Sequence, residues 1–174
     1  MSVIDKALAA VTPQPSAEKR AEATAKARSA ADRGDWLSLA LDHHDQIRAA
    51  FEAGRATKTA ADRRTALEAL ALILNGHSLA EELVLYPAMA QSGHKAQAGM
   101  AYAEQTTAKM QMAELENIAP SSRDWLDKWE HIEGAVLTHM YEEEHGWFLH
   151  LKKEGENQAR LRDRYLEEFN RYVG

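Results

Sequence analysis

The chain of 174 residues contains no cysteine, and that absence removes several kinds of chemistry at once. Disulfide frameworks, thiolate nucleophiles, zinc fingers and iron–sulfur clusters are all excluded, so any metal must be held by nitrogen and oxygen. Proline is scarce, at four residues, and β-branched residues are few outside short apolar stretches. Little therefore interrupts helix. No apolar run approaches the roughly 20 residues that span a bilayer, and the start, Met1-Ser2-Val3-Ile4-Asp5, lacks a basic region followed by an apolar signal core. The expectation is a soluble, cytoplasmic protein with no membrane partner. Positive charge is not in excess either: 21 basic against 27 acidic residues leave a net charge of −6. The basic residues are interspersed with acids, so no nucleic-acid partner is expected. Phosphate-binding glycine loops, dinucleotide fingerprints and nucleophilic triads are missing, which leaves hydrolytic and nucleotide-dependent functions without support.

What remains is rich in Ala, Leu, Glu and Arg, and its apolar residues recur at helical spacing. Residues 1–34 read as a polar, alanine-rich N-terminal arm, broken at Pro13 and Pro15, with a helix from about Ser16 to Ala31. Asp35 is an N-cap for a helix A that runs to about Ala53 and stops at Gly54. Helix B begins after Thr59 and carries Leu67, Leu70, Ile73, His77 and Glu81 towards Ala90. Gly76 inside it either permits close packing beside His77 or marks a local distortion, and Pro87 should loosen its last turns. Helix C spans about Lys95 to Ile118. Pro120-Ser121-Ser122 breaks the chain and caps helix D, which runs from about Arg123 to Lys153. A last short amphipathic helix carries Leu161, Tyr165 and Phe169. This pattern predicts an all-α fold: an antiparallel up-down four-helix bundle over residues 35–155, with the N-terminal arm and a C-terminal capping helix at 156–174.

Within these helices one short pattern occurs twice. His77-x-x-x-Glu81 and His139-x-x-x-Glu143 each run into a second glutamate, Glu82 and Glu144. Four residues make one helical turn, so each pair sets an imidazole and a carboxylate on one face, about 5–6 Å apart at Cβ. A single such pair is a weak signal; the phase makes it stronger. His77 continues the stripe of Leu70 and Ile73, His139 that of Ile132 and Val136, and His44 that of Leu37 and Phe51. Three histidines and two glutamates thus fall where a core wants leucine. Buried carboxylates without a cation are costly, and a pair of metal ions held between facing helices removes that cost.

Taken together, three stretches resemble the hemerythrin-like, or HHE cation-binding, proteins over about Trp36 to Leu151. They are Leu41-Asp42-His43-His44-Asp45-Gln46-Ile47, His77-Ser78-Leu79-Ala80-Glu81-Glu82 followed by Leu85-Tyr86-Pro87, and His139-Met140-Tyr141-Glu142-Glu143-Glu144 followed by Trp147-Phe148. The resemblance implies a non-haem di-iron centre, two oxo- or hydroxo-bridged iron ions with His44, His77 and His139 as terminal nitrogen ligands and Glu81 and Glu143 as bridges. Helix C departs from the family, which usually supplies a histidine there. This chain has Glu104-Gln105: Gln105 sits at the inward phase, and Glu104, one residue off it, is a candidate sixth metal ligand or a solvated partner of Lys109. Replacing imidazole by carboxylate favours the ferric state. The reading that follows is a small-ligand protein reacting with peroxide or O₂, catalase-, peroxidase- or oxidase-like, instead of a reversible O₂ carrier.

Around the ligands, His43 is a neighbouring group or the alternative to His44, Glu82 and Glu144 are solvated carboxylates or outer ones that orient histidines, and Lys109 offsets charge or is solvated; the resemblance leaves Glu144, five residues after His139, as an alternative bridge to Glu143. Tyr86, Tyr102 and Tyr141 read as core, with Tyr102, one turn before Gln105, the best exception. Two other functions compete. One is a non-enzymatic sensor or binder of O₂, NO or iron whose metal state alters exposure of the arm or last helix. The other is an interaction bundle holding zinc or nothing.

Overall fold

Four helix starts fall where short polar side chains accept the first free N–H groups. The computed structural model describes residues 14–174, and among them all regular structure is helical. Ser16 accepts from the Lys19 N–H and opens α1 (Ala17–Ala30); Asp35 accepts from Ser38 and opens α2 (Trp36–Ala56); Thr59 accepts from Asp62 and opens α3 (Ala60–Ala80). Such caps satisfy backbone donors that no helical turn can reach. α3 passes through a π-helical turn, Glu81–Leu85, into α4 (Tyr86–Gln91). After α5 (Lys95–Glu116), Ser122 caps α6 (Arg123–Glu142), which passes through a second π turn, Glu143–Trp147, into α7 (Phe148–Glu154). The last helix is α8 (Gln158–Val173). The first thirteen residues of the expected arm lie outside the described residues; its remainder carries α1, which lies against α2 and the second π turn.

Two glycines do something other than end a helix. α2 continues past Gly54 to Ala56, where the Thr57 hydroxyl donates to the Gly54 carbonyl. Gly54 is instead a notch, since a Cβ there would overlap the Trp129 indole. Gly76 resolves in favour of close packing. α3 is regular around it, and a Cβ would stand 2.7 Å from Val173 Cγ1 and 3.3 Å from Phe169, so α8 lies directly on α3 beside His77.

The distortion comes five residues later and occurs twice. Each π turn starts at the glutamate of a His-x-x-x-Glu pair, with the Tyr86 N–H reaching back to the Glu81 carbonyl and the Phe148 N–H to that of Glu143. In the same i→i+5 register Pro87 would have to donate to the Glu82 carbonyl, and proline has no N–H. The Tyr102 hydroxyl donates to that carbonyl instead, at 2.5 Å.

The apolar interior is divided in two. One cluster holds Trp36, Leu37, Leu41, Leu85, Met89, Phe148 and Leu151; the other holds Ile47, Phe51, Leu70, Leu115, Trp125, Trp129 and Ile132. Along α2 the step between them is at His44, and along α5 it is at Gln105 between Ala101 and Met112. A polar layer therefore crosses the interior between two greasy ends.

Candidate metal centre

That layer is built from α2, α3, α5 and α6 and their π turns. His44, Glu81 and Glu143 are 0% exposed, with His77 at 2% and His139 at 8%. Ligand atoms from His44, His77, Glu81 and Glu143 all lie within 4.8 Å of one another. His77 Nε2 is 3.1 Å from Glu81 Oε1, and His44 Nε2 is 3.2 Å from Glu143 Oε2 and 3.9 Å from Glu81 Oε1. Close as they are, none of these four atoms makes a hydrogen bond. Each buried polar atom left without a partner costs about 1–3 kcal/mol. Four of them aimed at a common centre is the arrangement a cation would satisfy.

The other oxygens of the same carboxylates form a second group. Glu81 Oε2, Glu143 Oε1 and His139 Nε2 lie 3.0, 2.8 and 3.1 Å from the Tyr86 hydroxyl, and His139 Nε2 is 3.2 Å from Glu143 Oε1. Gln105 occupies the inward place on α5; its amide donates to Glu81 Oε2 at 2.6 Å and also contacts the Tyr86 hydroxyl, while its Oε1 has no partner. Each glutamate thus contributes one oxygen to each group.

Behind the imidazoles, every Nδ1 is tied. His44 Nδ1 is 2.7 Å from Glu144 Oε1, and Glu144 is held in turn by Arg48 and by the Thr24 hydroxyl of α1. His139 Nδ1 is 2.8 Å from Glu104 Oε2, and His77 Nδ1 is 3.0 Å from the Tyr165 hydroxyl of α8. Fixing Nδ1 from outside leaves Nε2 directed inward, which is how proteins orient metal-ligating histidine.

Of the residues singled out in the sequence, His44 enters the inner group and His43 does not: His43 Nδ1 meets Tyr165, 2.9 Å away. Glu104 stands behind His139 with its side chain 42% exposed and belongs to neither inner group. Glu82 pairs with Lys109 at 2.6 Å, away from the cluster. Tyr86 needs correction, since its ring is core but its hydroxyl is at the middle of the second group. Tyr102, the favoured exception, is 38% exposed and serves a backbone carbonyl. Sequence reasoning also passed over Thr24, Arg48 and Tyr165. The only sequence signal for Tyr165 was its place on the amphipathic stripe of the last helix.

Protons take the place of cations in the metal-free protein. Burial opposes charge on His44, but the carboxylates of Glu143, Glu144 and Glu81 around its ring, with Glu144 accepting at Nδ1, raise it well above the usual imidazole range. Burial also opposes His139, yet the Glu143 charge and the Glu104 hydrogen bond push it up to about 10. His77, buried beside charged His44, is held well below the usual range. Burial and the neighbouring Glu143 push Glu81 up to about 7. Burial would raise Glu143 too, but the positive charges of His139 and His44 beside it hold it below the ordinary carboxylate range. Positive charge on His44 and His139, with the proton that Glu81 takes up near 7, offsets the negative charge of the buried carboxylates.

Among the described residues the chain is all-helical, and its facing helices feed a buried nitrogen and oxygen cluster that could hold a cation. The chain belongs to the hemerythrin family: the hemerythrin HHE cation binding domain matches residues 37–151, well over half of its length. No curated protein and no solved structure matches it. Among the described residues no helix is long and apolar enough to cross a membrane.

Proposed function

We propose that this chain is a non-haem di-iron protein, an antiparallel four-helix bundle in its core, that reacts with peroxide or O₂ in preference to carrying O₂ reversibly. The observation that carries this reading is the division of both glutamates between two atom groups, which suits carboxylates that bridge two ions. His44 and His77 would hold one ion with Glu81 and Glu143, and His139 would hold the other with the opposite oxygens of the same pair. Glu104, on the Nδ1 of His139, orients that ligand and raises its basicity. At the inward place on α5, Gln105 gives an amide and no imidazole, and the nearest further oxygen is the Tyr86 hydroxyl. A shell with three imidazoles and an oxygen-rich second position favours the ferric state over a stable reduced, O₂-carrying one. The chemistry that a bound iron pair supplies is redox exchange with an O–O bond. The Tyr86 hydroxyl, touching both carboxylates and His139, is placed to hold or deliver a proton there.

The test is metal quantification with the optical spectrum of the iron-loaded protein before and after reduction, followed by addition of peroxide. Two irons per chain, an oxo-bridged diferric band and peroxide turnover are expected. Iron-loaded protein that neither bleaches nor consumes peroxide would refute the reading.

A second reading, a non-enzymatic sensor of O₂, NO or iron, is favoured by one contact. Thr24 on α1 donates to Glu144, the carboxylate behind His44, so movement of His44 is transmitted to α1. It predicts that proteolysis within residues 2–33 differs between reduced and oxidised protein.

A further inference from the structure

Resting on the metal-binding reading, we propose that Tyr165, on the C-terminal helix, is the positioning residue for His77 and acts with His43 as its own hydrogen-bond acceptor. α8 lies beyond the residues that the family domain matches. Its hydroxyl nevertheless reaches the polar layer: Tyr165 is 0% exposed, 3.0 Å from His77 Nδ1 and 2.9 Å from His43 Nδ1. The helix is held in register from both sides. Phe169 stacks on the His43 ring at 3.8 Å between centroids, and Gly76, next to His77, leaves the space that Phe169 and Val173 fill.

A count of hydrogens leaves one arrangement compatible with a bound cation. The phenol has a single hydrogen and faces two imidazole nitrogens, so it donates to one and must accept from the other. His77 Nε2 is unpartnered and points to Glu81 Oε1. To bind a cation there, Nε2 must keep its lone pair, and a neutral ring then carries its hydrogen on Nδ1. Tyr165 therefore accepts from His77 and donates to Nδ1 of His43, which must carry its own hydrogen on Nε2. His44 and His139 are oriented by carboxylates, Glu144 and Glu104. Among the three, His77 has a neutral phenol behind it, so its orientation depends on the docking of α8.

The experiment is an anaerobic titration of the metal-free full chain with Co(II), a spectroscopic stand-in for Fe(II), followed by visible absorption, chelator competition and thermal unfolding. Tyr165→Phe keeps the ring and deletes the acceptor; loss of such an outer partner weakens metal binding about 10–100-fold. Expected are that loss, a changed visible band, and a smaller Co(II)-induced rise in melting temperature, measured from a metal-free midpoint that itself falls because the Nδ1 atoms of His77 and His43 lose their partner. Phe169→Leu, which loosens α8 on His43 and leaves the hydroxyl in place, should lose less than Tyr165→Phe. Wild-type affinity and spectrum in Tyr165→Phe would overturn the inference, as would equal losses in the two variants, which would assign the effect to helix docking alone. Absence of Co(II) binding by the wild type would instead overturn the metal-binding reading beneath it.

Discussion

Replacing Gly54 by alanine sets helix propensity against packing, and the two predict opposite signs. Gly54 lies inside α2, where alanine is favoured by about 0.8–1 kcal/mol. The added methyl, however, falls inside the Trp129 ring. Trp129 is 0% exposed, stacked on Trp125 at 5.0 Å and edge-on to Phe51 at 5.4 Å, and its Nε1 donates to the Phe51 carbonyl at 3.3 Å. Turning the indole away forfeits that bond, worth about 0.5–1.5 kcal/mol, and overpacking a filled core costs about 1–3 kcal/mol. The balance is a destabilisation of about 1–3 kcal/mol, equivalent to a melting temperature lowered by roughly 2–12 °C in a chain of this size. Gly99 is the control: it is exposed in α5 with nothing near its missing Cβ, so Gly99→Ala should stabilise by up to about 1 kcal/mol. Thermal and urea unfolding followed by circular dichroism and tryptophan fluorescence reads both. A Gly54→Ala protein as stable as the wild type would refute the packing argument and leave propensity as the governing term.

Three further predictions concern charge and the site. Cation uptake should strengthen as pH rises. His44 and His139 have raised values and Glu81 titrates at about 7, so below those values a cation must displace protons, and it meets fewer of them as pH climbs through 7 towards about 10. Calorimetric Co(II) titration in two buffers of different ionisation heat counts the released protons, and uptake independent of pH between about 6 and 8 would contradict the assignment. Tyr86→Phe removes an oxygen from the second atom group and spares the first. If the chain takes up two metal ions as proposed, metal content should move from two towards one per chain, and an unchanged content would show that the hydroxyl is dispensable there. Asp35 caps α2 and meets Lys152 at 2.6 Å. Burial would raise it, but Lys152 and the Ser38 and Asp32 N–H groups lower it overall. Its contribution is therefore present above the ordinary aspartate range and is lost as pH falls through the depressed value. Asp35→Ala should cost about 1–2 kcal/mol near neutrality, measured by urea unfolding, with a deficit that narrows in acid; a deficit constant with pH would remove the ion pair from the account.

The parts of the centre that could be read from the sequence were those that obey the 3.6-residue period. His44, His77 and His139 stood in phase with Leu37, Ile73 and Val136, and the four caps at Ser16, Asp35, Thr59 and Ser122 follow from side chains that accept locally. Thr24, Arg48 and Tyr165 were illegible for a different reason: each acts across helices, on a partner more than 80 residues away with no spacing rule to connect them.

Tyr86 was missed by a third route, which also explains its role. In a regular α-helix the fifth residue after Glu81 stands about 140° round the axis, turned away from the carboxylate. No residue type announces a π turn, so the period gave no reason to bring Tyr86 back. The i→i+5 bond between Tyr86 N–H and the Glu81 carbonyl widens that turn and returns residue 86 towards the face of Glu81. The second π turn does the same for Phe148, whose ring lies parallel to His44 at 6.2 Å. One widened turn, used twice, therefore delivers a hydroxyl to one half of the layer and a bare ring to the other. The chemical asymmetry of the two atom groups thus comes from a single oxygen on a repeated backbone device, together with an imidazole from α2 on one side and the Gln105 amide from α5 on the other. If the π turns were absent, both rings would swing out of the layer and the two halves would differ only in what α2 and α5 supply.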